Sequence, residues 1–155
     1  SMKRALLIIS CSDRKKAVKV SKAWDCYDGP SFRVLKKIQR EQGLPRNLDI
    51  RIISAKYGLI SPDISIEYYN MKITKTRAQE LHEEIIENLT NLIARNNYYN
   101  ILINLGKNYL LSISGIEKLL PKNSRLVYAQ GGIGKKISIM RKWVLSLICN
   151  KIDEL

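Results

Sequence analysis

Short apolar runs alternate along this chain with segments whose apolar residues recur every three to four positions, and that alternation is its strongest constraint. The first run, Arg4 to Ser10 (RALLIIS), is continuously apolar and ends in a polar cluster, as a strand buried on both faces does. Leu48 to Ala55, Asn100 to Leu105 and Arg125 to Ala129 repeat the pattern. Between them, Asp28-Gly29-Pro30-Ser31 opens a helix with Phe32, Leu35 and Ile38 on one face, stopping near Gly43 and Pro45. Thr76 and Gln79 have the spacing of a capping box, ahead of a stripe of Ala78, Leu81, Ile85, Leu89 and Leu92. Ser114 and Glu117 predict a second capping box and a short helix ending at Pro121. A last helix from about Lys135 turns Ile137, Met140, Val144 and Leu147 inward.

Strands alternating with helices predict an α/β, Rossmann-like three-layer sandwich. Its mostly parallel sheet has about four or five strands, with the first run as the central one. Residues 57–75 lack helical periodicity and read as a long loop closing over a site, with a hairpin through Ile64-Ser65-Ile66 as the alternative.

The length of 155 residues fits a single domain, 1–155, and 45% hydrophobic content is enough for a core. The longest apolar run, Ala5 to Ile9, is too short to span a bilayer. Ser1 reads as a cloning remnant and Met2 leads straight into a strand, so no secretory leader is expected, and the Ile152-to-Leu155 ending carries no retention signal. Cys11, Cys26 and Cys149 are odd in number and lack metal-ligand spacing, and His82 is the lone histidine. A reduced, cytoplasmic protein without metal or cofactor is expected. His82, on the polar margin of a helix, is expected to be structural or solvated. The net charge of +13 attracts nucleic acid, nucleotides or acidic surfaces, so a nucleotide or nucleic acid, tRNA or DNA, is the expected partner, and no membrane is expected.

Each strand leads directly into polar residues. These are Ser10-Cys11-Ser12-Asp13-Arg14-Lys15, Ser54-Ala55-Lys56-Tyr57-Gly58, Gly106-Lys107-Asn108-Tyr109 and Gln130-Gly131-Gly132-Ile133-Gly134-Lys135. A parallel sheet places all of them at one edge, where open α/β folds bind ligands. Gly131, Gly132 and Gly134 before a helix predict an anion site of backbone amides, with Lys135 beside it; Ala129 stands where a P-loop needs glycine. Cys11 next to Arg14 and Lys15 has the setting of a nucleophile, though a buried inert thiol is the plainer reading. Asp28 and Asp63 read as cap and turn residues, which leaves Asp25 and Glu67 as acid/base or ribose-binding candidates. Tyr27, Tyr57, Tyr68, Tyr69 and Tyr109 lie in these connections, either to stack a base or to fill the rim of the core.

Five segments, in order, carry a resemblance. They are Cys11-Ser12-x-x-Lys15; Asp25-x-Tyr27-x-Gly29-x-x-Phe32; Ser54-Ala55-Lys56-Tyr57-Gly58-Leu59 with Pro62-Asp63; Leu105-Gly106-x-x-Tyr109; and Gly131-Gly132-Ile133-Gly134-Lys135. Together they resemble a family of small, largely uncharacterised α/β domains over nearly the whole chain. That family is distantly similar to a domain of archaeosine synthase, which has a Cys-x-x-x-Lys segment after a strand and acts on a deazaguanine base in tRNA. Lys16-Ala17 stands where that enzyme has Pro-Tyr, and its following Ser/His pattern is absent. The resemblance therefore implies the fold and a nucleobase-related ligand, and not the lysine transfer.

The expected function is an enzyme acting on a nucleobase or nucleotide, by base modification or by N-glycosidic cleavage or transfer. Lys15 and Lys56 bind phosphate or act as electrophilic donors, Ser12 and Tyr57 orient the ligand, and Asp25 is the acid/base. The alternative is a non-catalytic nucleic-acid-binding module. The enzyme reading requires Lys15 and Lys56 at one edge, residues 16–28 folded back over it, and the loop from Ile60 to Lys75 bringing Tyr69 or Glu67 near.

Overall fold

The computed structural model describes residues 3–11, 15–16 and 19–153 of the chain. Its first strand, β1 (Arg4–Ser10), is the middle of a five-stranded sheet ordered β4 (Gly58–Ile60), β3 (Leu48–Ser54), β1, β6 (Tyr98–Asn104), β7 (Arg125–Tyr128). β3 and β6 flank it in parallel, with Leu7 opposite Ile50 on one side and Leu102 on the other. β7 continues the parallel order, and β4 closes the far edge antiparallel to β3. The fold is thus α/β with a mostly parallel sheet, as the alternation of runs implies. Ala5 to Ile9 are at most 1% exposed, which is why that run shows no polar alternation.

Helices cover both faces. Asn100 and Asn104, on one face of β6, reach Trp143 and Met140 of α5 (Ile133–Asp153) and Ser31 of α2 (Pro30–Glu41). Arg51 turns the other way, toward α3 (Lys75–Arg95). The connection out of β1 leads to β3, whereas the connection out of β6 leads to β7, so the order reverses between β1 and β6. In open α/β sheets ligands bind outside the C-terminal ends of the strands at such a reversal. None of the described helices is long and apolar enough to cross a membrane.

Four local expectations change. Residues 57–75 are not one structureless loop: they contain β4 and then β5 (Ser65–Glu67). β5 forms no hairpin through Ile64-Ser65-Ile66, because it pairs antiparallel with β2 (Val20–Lys22), far away in sequence. The cap of α3 is Thr74, whose Oγ1 accepts the Arg77 amide at 3.0 Å, so Thr76 and Gln79 form no capping box. The earlier start puts Arg77 in the first turn, where its guanidinium donates to the Ala55 and Lys56 carbonyls. Ser114 caps nothing either. Its amide is taken by Leu111 in a run of tight turns, and Glu117 accepts from Tyr128 Oη. The chain instead forms α4 (Lys107–Leu111) straight after β6 and a separate 3-10 turn, Ile116–Leu119. α5 begins at Ile133, two residues before the expected Lys135.

Candidate functional site

The C-terminal edge is built from backbone constraints that seat hydroxyls. Ser54 ends β3, and its Oγ accepts the amides of Lys56 at 3.2 Å and Tyr57 at 3.1 Å, folding the chain into a tight turn. Gly58 completes that turn at φ +74, a left-handed conformation that side chains resist, where an added Cβ would lie 3.8 Å from Leu81 and Ile85 of α3. Arg77 clamps the turn from outside. With both acceptor directions of Ser54 taken by amides, its proton goes to Tyr69 Oη, 2.7 Å away. Tyr69 then gives its own proton to Tyr27 Oη at 2.7 Å.

Tyr27 gets there because residues 19–28 fold back over the sheet edge. Lys15 bridges to Tyr27, the Lys16 amide donates to Cys26, and α1 (Ala23–Cys26) is tied to the Pro62 and Ile64 carbonyls. Cys11, just past β1, keeps its amide on the Ile53 carbonyl and sets its Sγ 2.9 Å from Tyr109 Oη on α4. Cys11, Tyr27, Ser54, Tyr69 and Tyr109 are all buried. Burial, followed by the Cys11 sulfur close by, pushes the Tyr69 hydroxyl far above its ordinary value. Burial does the same to Tyr27 against the opposing bond from Tyr69. Both phenols therefore stay protonated and are donors.

The lysines ride on aromatic faces. Lys15 Nζ stands 4.6 Å over the Tyr69 ring, and Lys56 Nζ stands 5.2 Å from the Tyr57 ring. The Tyr57 and Tyr69 rings meet edge to face at 5.5 Å, so Lys15 and Lys56 share one edge of the sheet. The predicted residues are otherwise placed unevenly. Tyr57 Oη is occupied by the Glu67 backbone, accepting its amide at 3.2 Å and donating to its carbonyl at 3.3 Å, while the Glu67 side chain is exposed. Asp25 is exposed on α1, where its charge acts on Lys36 and the hydrogen bonds of the hydroxyl cluster do not include it. Ser12 and the Cys149 side chain lie outside the described residues. Gly106 precedes α4, and Gly131, Gly132, Gly134 and Lys135 form the exposed entry to α5. Gly131 has φ +104, and a Cβ there would lie 2.7 Å from Lys135 Cδ, so the lysine stem folds back over it. Lys136 joins this entry to β6 through the Leu105 carbonyl at 3.1 Å. His82 Nε2 donates to the Ser114 carbonyl at 2.7 Å, linking α3 to the turn beyond α4.

Two polar residues of this edge were not singled out from the sequence. Asn104, buried at the end of β6, donates to Ser31 Oγ at 3.3 Å. A polar residue closing an apolar run was its available signal. Lys36 donates to the Tyr27 carbonyl at 2.9 Å, which no local pattern marks. Among the described residues no group of three His, Cys, Asp or Glu side chains could hold a metal ion, and Cys11 and Cys26 are free thiols.

Comparison with known proteins adds the fold and the family. A solved structure of AF0587, a protein of unknown function, superposes with a TM-score of 0.53 at 13% identity, covering 92% of this chain. The chain spans 44% of that protein's length. No curated protein matches the chain. Residues 6–142 match the family of unknown function DUF6884, and the chain belongs to that family.

Proposed function

We propose that this protein acts on a nucleobase-bearing ligand, a free nucleotide or a base within nucleic acid, at the crevice between β1 and β6. The observation that carries the reading is the buried thiol–hydroxyl cluster at the point where the strand order reverses. Open α/β sheets bind ligands at such points, and protonated phenols there suit the ring nitrogens and carbonyls of a base. The chemistry is base modification or N-glycosidic cleavage or transfer. Cys11 and Tyr109 face the reacting ring, Lys15 and Lys56 hold phosphate, and the amides of Gly131 to Gly134 take a second anionic group. The distant resemblance to the archaeosine synthase domain supports a base over other ring ligands. Asp25, exposed on α1, serves as acid or base only toward a ligand that reaches out of the crevice. The net charge of +13 favours a substrate carrying phosphates.

A second reading, a non-catalytic nucleic-acid-binding module, is favoured by one feature: clefts of about 530 and 470 Å³ open at the other edge of the sheet. Mass spectrometry of small molecules released from the purified protein, with binding of nucleosides, nucleotides and tRNA, separates the two. Release or saturable binding of a nucleobase compound, lost in Lys56→Ala and in Cys11→Ser, supports the enzyme. Binding of tRNA alone, abolished by added salt and indifferent to Cys11→Ser, overturns it.

A further inference from the structure

β4 covers only Ile52 to Ser54 of β3, so the earlier half of β3 has no strand beyond it. There the C-terminal third of α3 overhangs the sheet and encloses a cleft of about 530 Å³ lined by Arg51, Asn88, Asn91 and Arg95, with Leu59 and Leu92. A second cleft of about 470 Å³ shares Arg51, Leu92 and Arg95 and adds Arg4, Asp49 and Asn96. Both volumes are those of small-ligand sites.

The charge of these clefts is not internally balanced. Asp49 is their one carboxylate among the described residues, and it is consumed: Arg4 grips it through Nε at 2.9 Å and Nη2 at 2.6 Å, and Tyr98 Oη donates to it at 2.6 Å. Among the described residues Arg51 and Arg95 form no ion pair, and each spends one nitrogen on a backbone carbonyl of its own element, Ile50 at 2.9 Å and Asn91 at 3.2 Å. Arg51 is half-buried opposite the fully buried Ile8, a strand position where an arginine is costly to keep unless something uses it. An extended peptide adding to β3 fits poorly, because Arg51 already caps the Ile50 carbonyl and the Leu48 amide is taken by Pro45. The α3 terminus does not repel an anion strongly either, since Arg95 and Asn96 cover the Asn91 and Leu92 carbonyls.

We propose that Arg51 and Arg95 form a phosphate-binding site in this cleft, assisted by the Asn88 and Asn91 amides and separate from the C-terminal edge. Guanidinium forks match the oxygens of a phosphate, whether free, on a nucleotide or in a nucleic-acid backbone. The site stands whether or not the Cys11 cluster is catalytic.

The test is equilibrium binding of inorganic pyrophosphate and of a single-stranded RNA oligonucleotide to the full chain and four variants. Arg51→Ala/Arg95→Ala is expected to weaken the preferred probe about tenfold or more, while Lys142→Ala on α5 stays within about twofold. Arg51→Lys/Arg95→Lys, which keeps the charge and loses the fork, falls between them, and its thermal midpoint separates a binding loss from misfolding. Loss of pyrophosphate binding assigns a free phosphate or nucleotide. Loss confined to RNA, with a shallower salt dependence, assigns a nucleic-acid backbone. Binding of neither probe, a double alanine variant that binds as the parent does, or a loss seen only in Lys56→Ala overturns the proposal.

Discussion

At the N-terminal edge of the sheet Tyr98 gives its proton to a carboxylate; at the C-terminal edge Tyr69 gives its proton to another tyrosine. The first edge is a latch between β1, β3 and β6, in which Arg4, Asp49 and Tyr98 hold the starts of three neighbouring strands through charge. The second joins the ends of β1 and β3 with the segments around Tyr27, Tyr69 and Tyr109 through neutral groups. A charged pair holds one geometry, because removing either partner strands the other. Neutral hydroxyls exchange one acceptor for another at small cost, so the second edge is the one suited to admitting a ligand.

The largest expected effect is alkaline. Burial raises Tyr27 and Tyr69, and burial followed by the Asp49 carboxylate raises Tyr98. Raised folded values mean that their stabilisation is complete below the unfolded value near ~10 and is lost as pH rises beyond it. Stability should fall by up to about 1.4 kcal/mol per pH unit for each of these tyrosines. Denaturant melts followed by tyrosinate absorbance check this, since these three of the eight tyrosines should ionise only on unfolding. Tyr98→Phe should remove about a third of that slope and Tyr27→Phe with Tyr69→Phe about two thirds. Equal slopes in all variants would erase the distinction between the edges.

Acid acts on the charged latch at the N-terminal edge. Burial opposes ionisation of Asp49, but the bonds from Arg4 and Tyr98 prevail and hold its carboxyl below the ordinary value. Its stabilisation is present above the unfolded value near ~3.9 and is lost as pH falls through the folded one. Asp49→Ala should cost about 2–4 kcal/mol at neutral pH and flatten the acid limb of the stability profile. Arg4→Met with Asp49→Leu should recover part of that loss.

Tyr69→Phe should be milder, about 1–2 kcal/mol, because it strands one hydroxyl bond on either side without leaving a buried charge. Chemical denaturation measures it, and Ser54→Ala in combination should be less than additive, since both remove the same bond. The smallest effect belongs to Lys56→Ala, within about 0.5 kcal/mol of the parent in thermal melts, because its ammonium lies exposed on the Tyr57 face. A larger loss would make that lysine structural and weaken its assignment to ligand phosphate.

The α/β class, the central place of β1 and the shared edge of Cys11, Lys15, Ser54, Lys56 and Tyr109 were legible in the sequence. They follow from periodicity: an unbroken apolar run must be covered on both sides, and parallel strands must end together. The partner of each hydroxyl was not legible. Ser54 bonding to Tyr69, Tyr27 to Tyr69 and Cys11 to Tyr109 spans 15, 42 and 98 positions, and no local pattern encodes a pairing across such separations. The same holds for β2 with β5 and for Arg4 with Asp49. Even the choice of Thr74 over Thr76 as a cap is tertiary, since the earlier start lets Arg77 reach the Ala55 and Lys56 carbonyls. Patterning sets which residues must be inside and at which edge they emerge. Packing decides which of them touch, because only the folded chain brings distant donors and acceptors within bonding distance where no water competes for them.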